Sequence, residues 1–215
     1  HPRLWESNVF GVLHRWSSYD LPLARLKETL CDQLGLEKAM RRVEKRFALS
    51  ESLFEDRPGI LPRLHKLLDR FWEGHVGYAS IGLEEFAEVF GGALAVMPDW
   101  CLGMTVDRST GADAACAFMY PDWVAEARAL RGDASGWGRW MSGPTPKRIV
   151  FHTIAALPEA RRAGAAYLVL FKGFPYLEKA GIVESIVALV TEELRIFDRI
   201  CAPTRRYVLY ARPMQ

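Results

Sequence analysis

Cysteine is sparse in this chain. Cys31, Cys101, Cys116 and Cys201 are the only four in 215 residues, and no two stand close together. That spacing excludes a disulfide-stapled miniprotein and the paired Cys-x-x-Cys ligands of a structural zinc site, so reduced thiols, a cytoplasmic setting and no metal are expected. An excess of either charge is also lacking: 28 Lys and Arg stand against 26 Asp and Glu, a formal net charge of +2. The densest basic run, Arg41, Arg42, Lys45 and Arg46, is interleaved with Glu37 and Glu44. It reads as a solvated helix face, so no nucleic acid is expected as a partner. No apolar run approaches the roughly 20 residues of a membrane span. Neither a signal peptide nor an internal repeat is visible, and no membrane partner is expected. The chain opens on His1-Pro2 without an initiator methionine, as an excised domain, a trimmed terminus or a removed tag would each give.

What is present is the balance of a globular protein, 50% hydrophobic and 25% charged,. A chain of this length buries roughly 70% of its unfolded surface, enough for a core without covalent staples, in one large domain or two small ones.

Periodicity outlines the elements. Val9 to Leu13 and Trp16 to Tyr19 read as a short strand and an aromatic-rich turn,. Leu23, Leu26, Leu30 and Leu34 form one face of a helix, which Gly35 interrupts and Leu36, Met40 and Val43 resume,. Val43 to Leu49 also alternates as a strand does. Asp56-Arg57-Pro58-Gly59 opens a helix carrying Ile60, Leu64, Leu67, Leu68, Phe71 and Trp72,. A second helix is predicted over Leu83 to Val96, then an antiparallel hairpin of Trp100–Val106 and Ala114–Tyr120. Pro121 to Pro146, with Trp123, Trp137 and Trp140, reads as an excursion covering a site. There follow a strand Lys147–Leu157, a helix from near Gly164 to Lys179 ended by Gly181, and a β-branched strand Ile182–Val190,. A helix over Glu192–Cys201 capped by Thr191, and a last strand Arg205–Arg212, complete the order.

The most informative stretch is Thr153 to Leu168. A buried strand enters a small, basic turn, Arg161-Arg162-Ala163-Gly164-Ala165-Ala166, and a helix leaves it. Small side chains at a helix start leave backbone N–H groups uncovered, and with the helix dipole these suit a phosphate or pyrophosphate. A plain helix start rich in alanine is the alternative.

From Val43 onward the order of elements, with Arg161-x-x-Gly164-x-Ala166 after the fourth strand, resembles the GNAT acyltransferase superfamily. Its signature is Gln/Arg-x-x-Gly-x-Gly/Ala. Leu157-Pro158-Glu159, Gly181-Ile182-Val183 and Arg206-Tyr207-x-x-Tyr210 also resemble stretches of that family. The resemblance implies an α+β fold, a mixed, mostly antiparallel sheet flanked by helices. It divides the chain into a helical N-terminal extension, residues 1–42, and a GNAT-like domain, residues 43–215. It implies an acyl-CoA co-substrate, acetyl-CoA or malonyl-CoA, and a small-molecule amine as acceptor. Ile154, Ala155 and Ala156 would then line the pantetheine arm, and Arg161, Arg162, Ala163, Gly164, Ala165 and Ala166 would hold the pyrophosphate. Glu184 and His152 are the candidate bases, and Thr153 is expected to face the side of the sheet opposite His152. Many members use a tyrosine late in the fourth helix as proton donor; this chain has Phe197 there, with Tyr207 and Tyr210 as substitutes. A related group, the GNAT-like loading modules of polyketide assembly lines, passes acyl groups to an acyl carrier protein or decarboxylates them, using a fourth-strand Thr and a fifth-strand His. Thr153 matches the first, and no histidine lies within Ile182–Val190. A catalytically inactive acyl-CoA-binding or partner-binding module is the third reading. Phe10-Gly11-Val12 to Tyr19 resembles the last strands of a GNAT fold, expected either as the tail of a preceding module or as a strand pairing with the main sheet.

Overall fold

The computed structural model describes residues 10–33, 35–50, 53–136, 146–192, 194 and 197–212. Seven strands form one sheet in the order β2-β3-β4-β5-β6-β1-β7. They are β1 (Gly11–Pro22), β2 (Phe47–Leu49), β3 (Leu102–Asp107), β4 (Asp113–Pro121), β5 (Arg148–Ala156), β6 (Glu184–Thr191) and β7 (Arg205–Ala211). All neighbours are antiparallel except β5 and β6. A parallel pair needs a crossover, supplied by α6 (Pro158–Arg161) and α7 (Ala165–Lys179),. The architecture is the expected mixed, mostly antiparallel α+β sheet.

Helices cover both faces of the central strands. On one face, Leu168, Val169, Phe174 and Leu177 of α7 pack against Ala115, Ala117, Met119, Ile149 and Phe151. On the other, Ile60, Leu64, Leu67 and Leu68 of α3 (Arg57–Trp72) and Phe86 and Leu94 of α4 (Leu83–Val96) pack against Cys116, Phe118, Ala155 and Leu157. Full burial of each large side chain here contributes about 1.5–3 kcal/mol. Asp56 caps α3 by accepting the Gly59 N–H at 3.1 Å. Where α7 crosses β3 the approach is so close that a Cβ on Gly103 would lie 2.6 Å from Val169 Cγ1.

Three expectations are corrected. Residues 11–22 are one long strand, not a short strand and a turn, and β1 lies inside the sheet, bonded to β6 on one edge and β7 on the other. Leu23 and Leu26 of α1 (Leu23–Glu28), with Leu30, join the core under α7. The physical reason is that β6 and β7 each have an edge that only β1 fills. The helix carrying Met40 and Val43, α2 (Leu36–Arg46), runs on to Arg46, which leaves β2 a three-residue strand. No helix spans Glu192–Cys201 among the described residues: β6 continues through Thr191, and Phe197–Arg199 is a single 3₁₀ turn. Phe197 packs there against Tyr19, ring centroids 5.5 Å apart. Trp137 and Trp140 lie outside the described residues, and Trp123 precedes the short α5 (Val124–Ala129).

Candidate active site

The parallel ladder between β5 and β6 is short. It runs from Arg148↔Glu184 to Phe151↔Val187 and stops, although β5 continues to Ala156 and β6 to Thr191. Irregularities stand just past the last rung on both strands. The β4–β5 register passes from Phe118↔Thr153 to Met119↔Phe151, which makes His152 an extra residue. In β6, Ala188 and Leu189 stand opposite Ser18 alone, and Leu189 takes φ 54. Such bulges bend and twist a strand. Here they carry β5 and β6 apart and leave the backbone of residues 152–156 without a β6 partner. A strand edge left without a neighbour in this way calls for another hydrogen-bonding chain.

Ile154, Ala155 and Ala156 all lie on that half of β5, paired with β4 on one edge and without β6 on the other. Beyond it α6 ends at Arg161, Arg162 to Gly164 form a turn, and α7 begins at Ala165. Gly164 takes φ 86, and a Cβ there would meet Val43 Cγ2 at 3.0 Å, so glycine is required both by conformation and by space,. The first N–H groups of α7 have no acceptor within the helix and open among alanines. Arg161 and Arg162 are exposed, the guanidinium of Arg161 lying 5.9 Å from the Phe71 ring. Arg70 pairs with Glu159 at 2.9 Å and ties α3 to α6.

His152 and Thr153 meet at the parting. Because the extra residue breaks the alternation, the two side chains share the α3/α4 face, with His152 Nδ1 2.8 Å from Thr153 Oγ1. This corrects the expectation that they face opposite sides. Thr153 is buried. His152 stays exposed, yet its ring stands edge-on to Phe118 at 5.6 Å between centroids and 5.9 Å from Tyr120. These rings strip water from the imidazole and lower its pKa from the usual value of 6.5,. Burial also raises the Tyr120 phenol, with the Asp122 charge a smaller cause.

Glu184 and Tyr207 do not reach this place. Glu184 is the first residue of β6, exposed, in register with Arg148 and Pro22 at the closed end of the ladder. A carboxylate buried in the gap is therefore not formed. Tyr207 lies on β7, opposite Trp16, and β1 separates that strand from β6. The residues that sequence reading missed are Phe90, Phe118 and Tyr120, which with His152 make an aromatic wall. Period-two alternation in β4 places Phe118 and Tyr120 on one face, and that was the available signal.

No protein-family model matches the chain, and no curated protein matches it. Solved structures do. A GCN5-related N-acetyltransferase from Sphaerobacter thermophilus superposes with a TM-score of 0.59 at 11% identity, over 97% of this chain and 54% of its own. The fold is GNAT-like. A GCN5-related glucosamine N-acetyltransferase region of a fungal multi-domain GH3 β-N-acetylglucosaminidase gives the same TM-score at 14% identity, over 97% of this chain and 22% of that one. The chain thus spans about half the length of the first and about a fifth of the second. On this GNAT-like frame the parted strands and the Gly164 turn lie in succession along one connection, from β5 into α7. Among the described residues no helix is long and apolar enough to cross a membrane, and no group of three His, Cys, Asp or Glu is arranged to hold a metal.

Proposed function

We propose that this chain is an acyl-CoA-dependent acyltransferase that moves an acyl group from the CoA thioester to an amine. The observation that carries this reading is the end of the β5–β6 ladder at Phe151↔Val187, directly before a strand segment that leads into the Gly164 turn. The edge of residues 152–156 that β6 leaves suits the two amides of a pantetheine arm, and the turn with Arg161 and Arg162 suits a pyrophosphate,. An arm held between them presents its thioester near His152. There an acceptor amine can be aligned against the aromatic wall, and alignment alone supplies much of the rate of such a reaction.

The test is a thermal shift with free CoA, acetyl-CoA and malonyl-CoA, followed by mass spectrometry of reactions containing an amine panel. Stabilisation by all three nucleotides and an acylated amine product are expected. Absence of any shift would remove the CoA site. Loading of a carrier-protein thiol with no amine product would replace the amine reading with transfer to an acyl carrier protein, for which Thr153 is the residue to examine.

A further inference from the structure

The His152–Thr153 contact can run in either direction, and hydrogen-bond accounting favours one. Thr153 is buried, and among the described residues its hydroxyl has no partner except His152 Nδ1. Were Nδ1–H the donor, the threonine O–H would be left inside the protein with no acceptor. With the hydroxyl donating, the O–H and the Nδ1 lone pair are both satisfied, and buried donors are rarely left unpaired. The proton of the neutral ring then sits on Nε2, an atom with no hydrogen bond among the described residues. The rings of Phe118 and Tyr120 stand against the imidazole and favour its uncharged form over the charged one.

We infer that His152 serves the transfer as a hydrogen-bond donor, its Nε2–H aimed at the thioester oxygen, and that Thr153 is the positioning residue that fixes this tautomer. The inference rests on the acyltransferase reading and reverses the role expected of His152 as a base. A neutral imidazole can stabilise an oxyanion in this way without giving up its proton. In the step, the amine nitrogen forms the new C–N bond and the carbonyl oxygen gains charge opposite Nε2–H. The C–S bond then breaks with its electron pair on sulfur, and the amine proton passes to solvent. His152 holds its proton throughout. The step thereby needs no tyrosine as proton donor, because CoA thiolate is stable enough to leave as the anion at neutral pH.

Two measurements test this, one of them independent of turnover. Nitrogen-15 NMR of the full chain is expected to show the Nε2–H tautomer in wild type and in Thr153→Ser, and a mixture in Thr153→Val. An Nδ1–H tautomer in wild type would overturn the assignment. In the CoA-release assay His152→Gln keeps an N–H donor but is no base, and its kcat is expected within about tenfold of wild type, whereas His152→Leu loses about 10²–10³-fold. Thr153→Val is expected to lower kcat with KM little changed, and Thr153→Ser to restore it. Equal loss in His152→Gln and His152→Leu would make the residue a base, and full activity in both would end its role; either outcome defeats this inference alone. No CoA release from wild type with any acyl-CoA would instead defeat the acyltransferase reading beneath it.

Discussion

Phe151 and Val187 form the last rung between β5 and β6, and both are buried in the core beneath α7. The next irregular residue on each strand, His152 and Leu189, turns away from the ladder. The cleft is therefore anchored by packing at its closed end and opened by backbone geometry just beyond it.

Leu189 holds its left-handed conformation while 58% exposed, so little burial offsets the strain. A non-glycine residue there costs on the order of 1 kcal/mol. Leu189→Gly is expected to keep or raise the melting temperature, and β-branched Leu189→Val to lower it by about 2–4 °C. A glycine variant that melts well below wild type would show that the conformation carries no strain.

The turn before α7 is tested best at Arg162, which is exposed and bears on no core contact. Arg162→Glu is expected to weaken CoA binding by about thirtyfold in calorimetry, from loss and reversal of one charge-assisted contact. The circular dichroism spectrum is expected to stay unchanged. Gly164 is unsuited to that test, because any side chain at φ 86 meets Val43 at once. Gly164→Ala is expected to destabilise the fold by about 1–3 kcal/mol in urea titrations.

Removal of residues 1–22 strips β6 and β7 of their shared neighbour. Two bare edges and an uncovered core near Leu23 and Leu26 follow, and such edges drive aggregation. Expression of residues 23–215 is expected to give insoluble or oligomeric protein by sedimentation. A soluble, cooperatively melting fragment would show that β1 is dispensable.

Asp107 accepts from Ser109 Oγ at 2.6 Å, Arg46 Nε at 2.9 Å and the Ser109 N–H at 2.9 Å. The Ser109 hydroxyl, then Arg46, holds its carboxyl down at about 2. A depressed carboxylate stabilises the fold above its unfolded pKa of about 4 and loses that contribution as pH falls through about 2. Asp107→Asn is therefore expected to melt below wild type at pH 7, and the difference to close between about pH 4 and pH 2. A gap that persists at pH 2 would point to lost shape, not lost charge.

Local chemistry reaches far into this fold. The strand–turn–helix from Thr153 to Lys179 is legible because β-branched residues, a glycine and alanines follow one another in an order that admits one local structure, and Gly164 takes the conformation its position demands. The α3 helix is likewise announced by Asp56 and Pro58. The site itself is only half legible. Ile154 to Ala156 and Arg161 to Ala166 lie on one strand–turn–helix connection, as the order of elements predicts, since a strand and the helix behind it are contiguous in sequence. Glu184 and Tyr207 lie away from the parting for the opposite reason: a period of two gives a side chain its face and says nothing of how far along a neighbouring strand it lies or of which strand comes between.

Three features depend on contacts between distant residues. The extra residue at His152 is defined against β4, the register of β6 is set against β1, and the place of β1 is fixed by two strands more than 160 residues away, as Ser185 donating to the Leu21 carbonyl shows. Propensity acts within a few residues and so names the elements. Pairing registers are settled by which apolar faces can be buried together, and that choice opened the sheet between Phe151 and Val187 and turned His152 toward Thr153.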